Sequence, residues 1–140
     1  GNLRPGGGAG EKRIWQRRNE AGRGYIAAIN VAIPENYRML NIPAKYEKKK
    51  VKTVQMLSQL EQTSYYLKHI VLEDGIEELE FQGCPNLETV VFPPSIKKID
   101  TRHFKNLKKQ ITIYFTKDSY AEKWAKKHHF SYRYGTTGKE

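Results

Sequence analysis

The sequence predicts an α/β fold in which short strands stack as successive turns of one repeat, closed at the C-terminal end by a helix. Three observations predict it. The stretch from Leu67 to Phe115 says nearly the same thing twice, LKHIVLEDGIEELEFQGC and then LETVVFPPSIKKIDTRHFKN, at an offset of about 20 residues, a spacing at which internal repeats stack. Within each pass Ile70 and Leu72, or Val90 and Phe92, stand two apart, so in a strand they share one face. A single unit cannot bury that face, whereas stacked units share a continuous core. The chain then finishes on a strand, an amphipathic helix and a short last strand, an arrangement that covers the exposed end of such a stack.

Taken in order, residues Gly1 to Gly24 read as a flexible, basic, Gly-rich tail or linker. Pro5-Gly6-Gly7-Gly8-Ala9-Gly10 favours no regular structure. Six Lys or Arg residues against Glu11 and Glu20 give this stretch +4 of the formal net charge of +10. Ile14 and Trp15 are candidates to dock at the domain edge. The domain runs from 25 to 134, and at 140 residues, 38% of them hydrophobic, the chain holds one domain with a modest core. Tyr25–Val31 and Met39–Pro43 are apolar runs bounded by turn-prone residues and read as strands. Glu47 to Lys50 reads as a solvated hairpin tip between two apolar segments. From Val54 to Tyr66 the spacing of Val54, Leu57 and Leu60 and the local propensities predict a short helix.

The two repeats follow. Leu67, Ile70, Leu72, Ile76, Leu79 and Phe81 answer to Leu87, Val90, Phe92, Ile96, Ile99 and Phe104. Ile111 to Phe115 is a β-rich strand. Ser119-Tyr120-Ala121-Glu122 is a capping box, the Ser oxygen facing the first helical N–H groups and the Glu returning the bond. Ala121, Trp124, Ala125 and His128 form one apolar stripe, Lys126 and Lys127 suit the helix C-terminus, and Phe130-Ser131-Tyr132 gives a final strand. Gly135 to Glu140 is expected to fray.

These residues resemble the BspA-like leucine-rich repeats of bacterial surface proteins, whose unit runs approximately L-x-x-I-x-(I/L)-P-x-x-(I/V)-x-x-I, an aromatic, then G-C-x-x-L. Phe81-Gln82-Gly83-Cys84-Pro85-Asn86-Leu87 is similar to the closing motif, and Val90 to Ile99 to the opening one. Leu40 to Tyr46, followed by Lys50 to Val54, resembles a form of the unit with a lysine-rich turn inserted after Pro43. The strand, helix and strand from 111 to 134 resemble the family's C-terminal cap. Three departures stand: Glu73 occupies a place where the family usually has Pro, both units are short, and the second lacks a Cys before Leu107. The resemblance implies a short leucine-rich-repeat solenoid, a right-handed β-α superhelix with helix or irregular segments opposite the strands. It also implies a core position for Cys84, and a non-catalytic protein-interaction or adhesion module of a bacterial surface or secreted protein. Such a module is expected outside the cell or at its surface, with no leader among these 140 residues.

Chemistry is not where the sequence points. Catalytic, cofactor and metal sites are all expected to be absent. No Gly-x-Ser-x-Gly turn supplies a nucleophile, and Gly6-Gly7-Gly8-Ala9-Gly10 follows no strand and opens no phosphate-binding helix. His69, His103, His128 and His129 with the lone Cys84 lack a convergent metal-ligand spacing. Glu78 and Glu80 fall on the solvent side of a strand, with no cleft for acid–base work.

Recognition remains, and a protein partner is the first expectation. The outward positions of the repeat strands are the candidate contacts: Lys68, His69, Val71, Glu88, Thr89, Val91, Thr112 and Tyr114. Val71 and Val91 stand out as apolar groups on a face expected to be exposed, although plain β-propensity explains them as well. A polyanion, either nucleic acid or anionic glycan, is the alternative, because Lys+Arg number 25 against 15 for Asp+Glu. Its candidates are Lys48, Lys49, Lys50, Lys97, Lys98, Lys108 and Lys109. Two units offer a small surface, so self-association is a further expectation, and no run is long enough to span a membrane.

Overall fold

The structure is a computed structural model that describes residues 15–20, 24–31, 37–56, 65–81 and 84–135. In chain order the strands are β1 (Trp15–Glu20), β2 (Tyr25–Val31), β3 (Met39–Ile42), β4 (Lys45–Tyr46), β5 (Lys49–Met56) and β6 (His69–Leu72). Then come β7 (Glu78–Phe81), β8 (Thr89–Val91), β9 (Lys98–Ile99), β10 (Thr112–Phe115) and β11 (Ser131–Tyr134). A helical turn, α1 (Thr101–Phe104), runs into a 3-10 turn, and α2 (Tyr120–Lys127) is the main helix. The fold is therefore mixed α/β with parallel pairing dominant, and among the described residues no sheet closes into a barrel.

The chain alternates between two sheets. One has the order β1-β2-β5-β7-β9 with β4 beside β5, and the other the order β3-β6-β8-β10-β11. The internal repeat appears directly as strand register: β6 on β8 pairs Ile70 with Val90, and β7 on β9 pairs Leu79 with Ile99. These are positions the sequence alignment equates. They are buried together with Leu67, Leu72, Ile76, Leu87, Phe92 and Ile96 in one contiguous core between the sheets. Backbone bonds repeat with the same period. The Lys68 carbonyl accepts from Glu88 N–H and Thr89 N–H at 2.7 and 3.0 Å, as the Arg38 carbonyl accepts from Lys68 N–H and His69 N–H at 2.8 and 3.0 Å.

The turns between the sheets are also tied one to the next. Ser95 Oγ accepts from Gly75 N–H and donates to the Ile76 carbonyl, both at 2.7 Å, and Ser95 N–H donates to Asp74 Oδ1 at 3.2 Å. Glu73, where the resembled pattern has Pro, uses its carboxylate to accept from Ala44 N–H at 2.6 Å. A side chain thus satisfies a backbone donor at the turn before its own.

Three expectations change. The side opposite the repeat strands is a second sheet rather than helix or irregular chain, because Glu78-Leu79-Glu80 alternates with period two and only Leu79 is buried. Val54 to Met56, expected to open a helix, continue β5 and pair with Leu79 to Phe81. The helical propensity of Gln55 and Met56 yields to a strand that buries Val54 and Met56 on its inner face; the rest of that expected helix, 57–64, lies outside the described residues. The third concerns the expected tail, where Trp15–Glu20 pair antiparallel with β2. An open β2 edge would leave its backbone groups without ladder partners. The Gly-rich stretch before it lies outside the described residues, as do 136–140 of the end expected to fray from Gly135; Gly135 itself is held, its N–H donating to the Phe115 carbonyl at 2.9 Å.

The lysine-rich hairpin forms, with a tip shorter than the expected Glu47 to Lys50 because Lys49 and Lys50 already belong to β5. Lys45 pairs with Lys50 and Tyr46 with Lys49, leaving Glu47 and Lys48 as a two-residue loop, both with positive φ (50° and 69°).

The cap begins where Ser119 accepts from Glu122 N–H at 3.2 Å. Glu122 returns its bond one residue earlier than a standard capping box, accepting from Asp118 N–H at 2.5 Å. Its other oxygen accepts from the Tyr134 hydroxyl and faces Lys126 Nζ at 3.1 Å. The Tyr134 hydroxyl first, then Asp118 N–H and Lys126, hold this buried carboxyl at about 2 instead of 4.5. Because its folded value is depressed, its contribution is complete above the unfolded value of 4.5 and is lost as pH falls from there towards 2. Glu122→Gln is expected to flatten Tm against pH across that window; a thermal-melt series in which the variant keeps the wild-type slope would place the acid sensitivity elsewhere.

Candidate functional site

Parallel pairing sets the outward residues of the second sheet in two rows. One runs Met39, His69, Thr89, Thr112 and Ser131, the other Asn41, Val71, Val91, Tyr114 and Arg133. Six of the eight sequence candidates, His69, Val71, Thr89, Val91, Thr112 and Tyr114, therefore lie on one face. Lys68 and Glu88 sit at its rim and meet at 3.2 Å, an exposed pair worth roughly 0–1 kcal/mol.

The face carries two concavities. A polar hollow of about 500 Å³ is lined by Lys68, Asn86, Glu88, Thr89, Gln110 and Thr112. Gln110 Nε2 donates to the Pro85 and Leu87 carbonyls at 2.7 and 3.1 Å, and Asn86 Nδ2 donates to the Tyr65 carbonyl at 2.9 Å, so neighbouring units hold its rim. Beside it, His69 Nδ1 and Thr89 Oγ1 are 2.7 Å apart. At the other end of the strands lies a groove of about 580 Å³, with Val71 and Val91 in its lining, Pro43, Pro93 and Pro94 along the turns, and Glu73 and Asp74 contributing two acids.

Two candidates are less open than expected. Val91 is 2% exposed and Tyr114 7%. Val91 has Val71 and Tyr114 beside it in its row, and strands roughly 4.8 Å apart let each side chain cover its neighbour's flanks. Val71 keeps intermediate exposure. Apart from Pro93-Pro94 nothing in the sequence marks the groove, because its walls come from turns of successive units.

The polyanion candidates fall on separate elements. Lys48 to Lys50 belong to the β4–β5 hairpin, Lys97 and Lys98 to the edge of the first sheet, and Lys108 and Lys109 follow the 3-10 turn. Lys97 faces Glu77 at 3.8 Å and Lys98 faces Glu78 at 3.5 Å, a carboxylate one repeat back in each case. Glu78 also accepts from Thr53 Oγ1 at 3.3 Å, and Glu80 from Gln55 Nε2 at 3.1 Å. The acidic run thus neutralises part of the lysine run and braces the sheet.

Cys84 is buried, and burial pushes its thiol up to about 12, which leaves it without nucleophilic thiolate at neutral pH. Among the described residues no three His, Cys, Asp or Glu side chains group as a metal site, and no helix is long and apolar enough to cross a membrane. No protein-family model, curated protein or solved structure matches the chain.

Proposed function

We propose that this chain is a short leucine-rich-repeat solenoid of the BspA-like kind, and that it works as a non-catalytic interaction or adhesion module outside the cell. The regular pairing of equivalent residues one repeat apart supports the architecture. The observation that carries the function is the groove over Val71 and Val91. It is a concave, largely apolar strip with two acidic residues, Glu73 and Asp74, at its wall, laid across aligned strands, and it fits an extended peptide segment of a protein partner. The polar hollow beside it, with Lys68, Glu88, Thr89 and Thr112, supplies hydrogen-bonding groups for the same partner.

The test is selection of displayed peptides on the intact protein, followed by affinity measurement on variants. Val71→Arg is expected to weaken selected peptides by at least about tenfold, as loss of a central apolar anchor does. Lys97→Glu/Lys98→Glu, on the other sheet, is expected to leave them unchanged. Peptides that bind Val71→Arg and wild type equally would move the contact off this face.

A further inference from the structure

Beyond the +4 of residues 1–24, the net positive charge of this protein lies towards its C-terminal end. Residues 25 to 100 carry nine Lys or Arg against ten Asp or Glu, a formal net charge of −1. Residues 101 to 135 carry nine Lys or Arg against Asp118 and Glu122, a formal net charge of +7. Of those two acids, Glu122 is buried and engaged by Tyr134, Asp118 N–H and Lys126. The excess positive charge of the domain therefore lies on the cap together with α1 and the 3-10 turn that lead into it.

Its geometry is continuous. On α2 the exposed residues are Tyr120, Lys123, Lys126 and Lys127, while Ala121, Glu122, Trp124 and Ala125 face the core. Tyr120, Lys123 and Lys127 recur at helical spacing and form one solvent stripe. Past the end of the helix His128 is half-buried and His129 exposed. His128 leans on Trp124 with ring centres 5.7 Å apart, Trp124 stacks on Phe130 at 4.7 Å, and Lys108 Nζ lies 5.7 Å from the Phe130 ring centre. On the other flank Lys126 Nζ lies 5.7 Å from the ring centre of Tyr132. Aromatic rings stand open among these cations: Tyr120 is 40% exposed, Tyr132 36% and Tyr134 45%.

We propose that the cap binds single-stranded nucleic acid, with Lys105, Lys108, Lys123 and Lys127 on the phosphates and Tyr120 as a stacking platform for a base. Cations alone would accept any polyanion; aromatic faces interleaved with them are what a single strand with unstacked bases can use and a paired duplex cannot. This site is on the cap, away from the groove of the second sheet, so it stands or falls independently of the peptide-binding role. A pH response follows. Burial first, then the charges of Lys127, Lys105, Lys108 and His129, hold the His128 imidazole below its ordinary range. A bound phosphate would offset that repulsion, so the strand and the proton favour each other.

The experiment is fluorescence anisotropy of the full chain with labelled oligo(dT) of about 20 nucleotides, over a salt series and from about pH 8 to about pH 5.5. The expected result is binding that persists at about 0.1 M salt and strengthens as pH falls. Lys123→Glu/Lys127→Glu, and separately Lys105→Glu/Lys108→Glu, should each weaken it about tenfold or more and flatten the salt dependence. Tyr120→Ala should weaken it about fivefold or more with the salt slope unchanged. Lys48→Glu/Lys50→Glu makes the same charge change on the hairpin and should do little. An equal loss in that control, an unaltered affinity in the cap variants, equal binding of duplex or of a sulfated polysaccharide, or no binding at all would each overturn the proposal.

Discussion

Trp124→Ala is expected to destabilise the protein by about 3–5 kcal/mol, a large share of the roughly 5–15 kcal/mol that holds a domain together. Trp124 is 5% exposed at the centre of the cap. It stacks on Phe130 and meets Phe104 and Phe92 edge-on at 5.6 and 5.9 Å, and its Nε1 donates to Thr101 Oγ1 at 3.0 Å. The indole thus joins α2 to the last repeat and to α1. Truncation leaves a void among three phenylalanines and removes the donor to Thr101 Oγ1, whose hydroxyl keeps its bond to the Ile99 carbonyl at 3.3 Å. Trp124→Phe keeps an aromatic ring and removes the indole N–H, so most of its loss is the hydrogen bond, about 0.5–1.5 kcal/mol. Urea unfolding followed by far-UV circular dichroism measures both. If the alanine variant lost under about 1 kcal/mol, the cap would be an appendage and not part of the cooperative core.

Gly75→Ala is expected to destabilise by about 2–6 kcal/mol, since a strained backbone and an overpacked contact each cost about 1–3 kcal/mol. Gly75 has a φ of +120°, and a Cβ there would lie 2.9 Å from Ala44 Cβ in the preceding unit. Both penalties come from one feature, the close stacking of turns that Ser95 holds in place. The pair separates by double-mutant cycle. Gly75→Ala/Ala44→Gly relieves the contact and leaves the dihedral strain, so chemical denaturation should recover part of the loss. A double variant no more stable than Gly75→Ala would assign the whole effect to the backbone.

Much of the second sheet was legible because its strands follow a period. Ile70 and Val90 align by eye in the sequence and pair in the structure, and Ser119 and Glu122 announce the helix start. The first sheet was harder to read. Its last strand is only Lys98 and Ile99, too short for alternation to register, and Gln55 and Met56 favour helix locally but are held extended by a neighbour some 25 positions on. Burial of Val91 and Tyr114 was not readable from either strand alone, since each is covered by residues of adjoining units. The same holds for charge. Lys97 and Lys98 look free in sequence and lie opposite Glu77 and Glu78 in space, whereas the concentration on the cap needed only a count by segment.

The first sheet tapers towards the cap: eight residues in β5, four in β7, two in β9. Its core side chains change in step, from Val51 and Val54 through Leu79 and Ile99 to the rings of Phe104 and Trp124. The units of the first sheet are consequently not interchangeable, although the second sheet keeps strands of three or four residues, and this constrains how the length could vary by gene duplication. A copy of the unit around β6 and β7 would present four-residue strands to a four-residue neighbour. A copy of the unit around β8 and β9 would offer the next one a two-residue edge and an aromatic plug with nothing to close. Growth is therefore accommodated in the middle of the array, and the narrow end fixes where it stops.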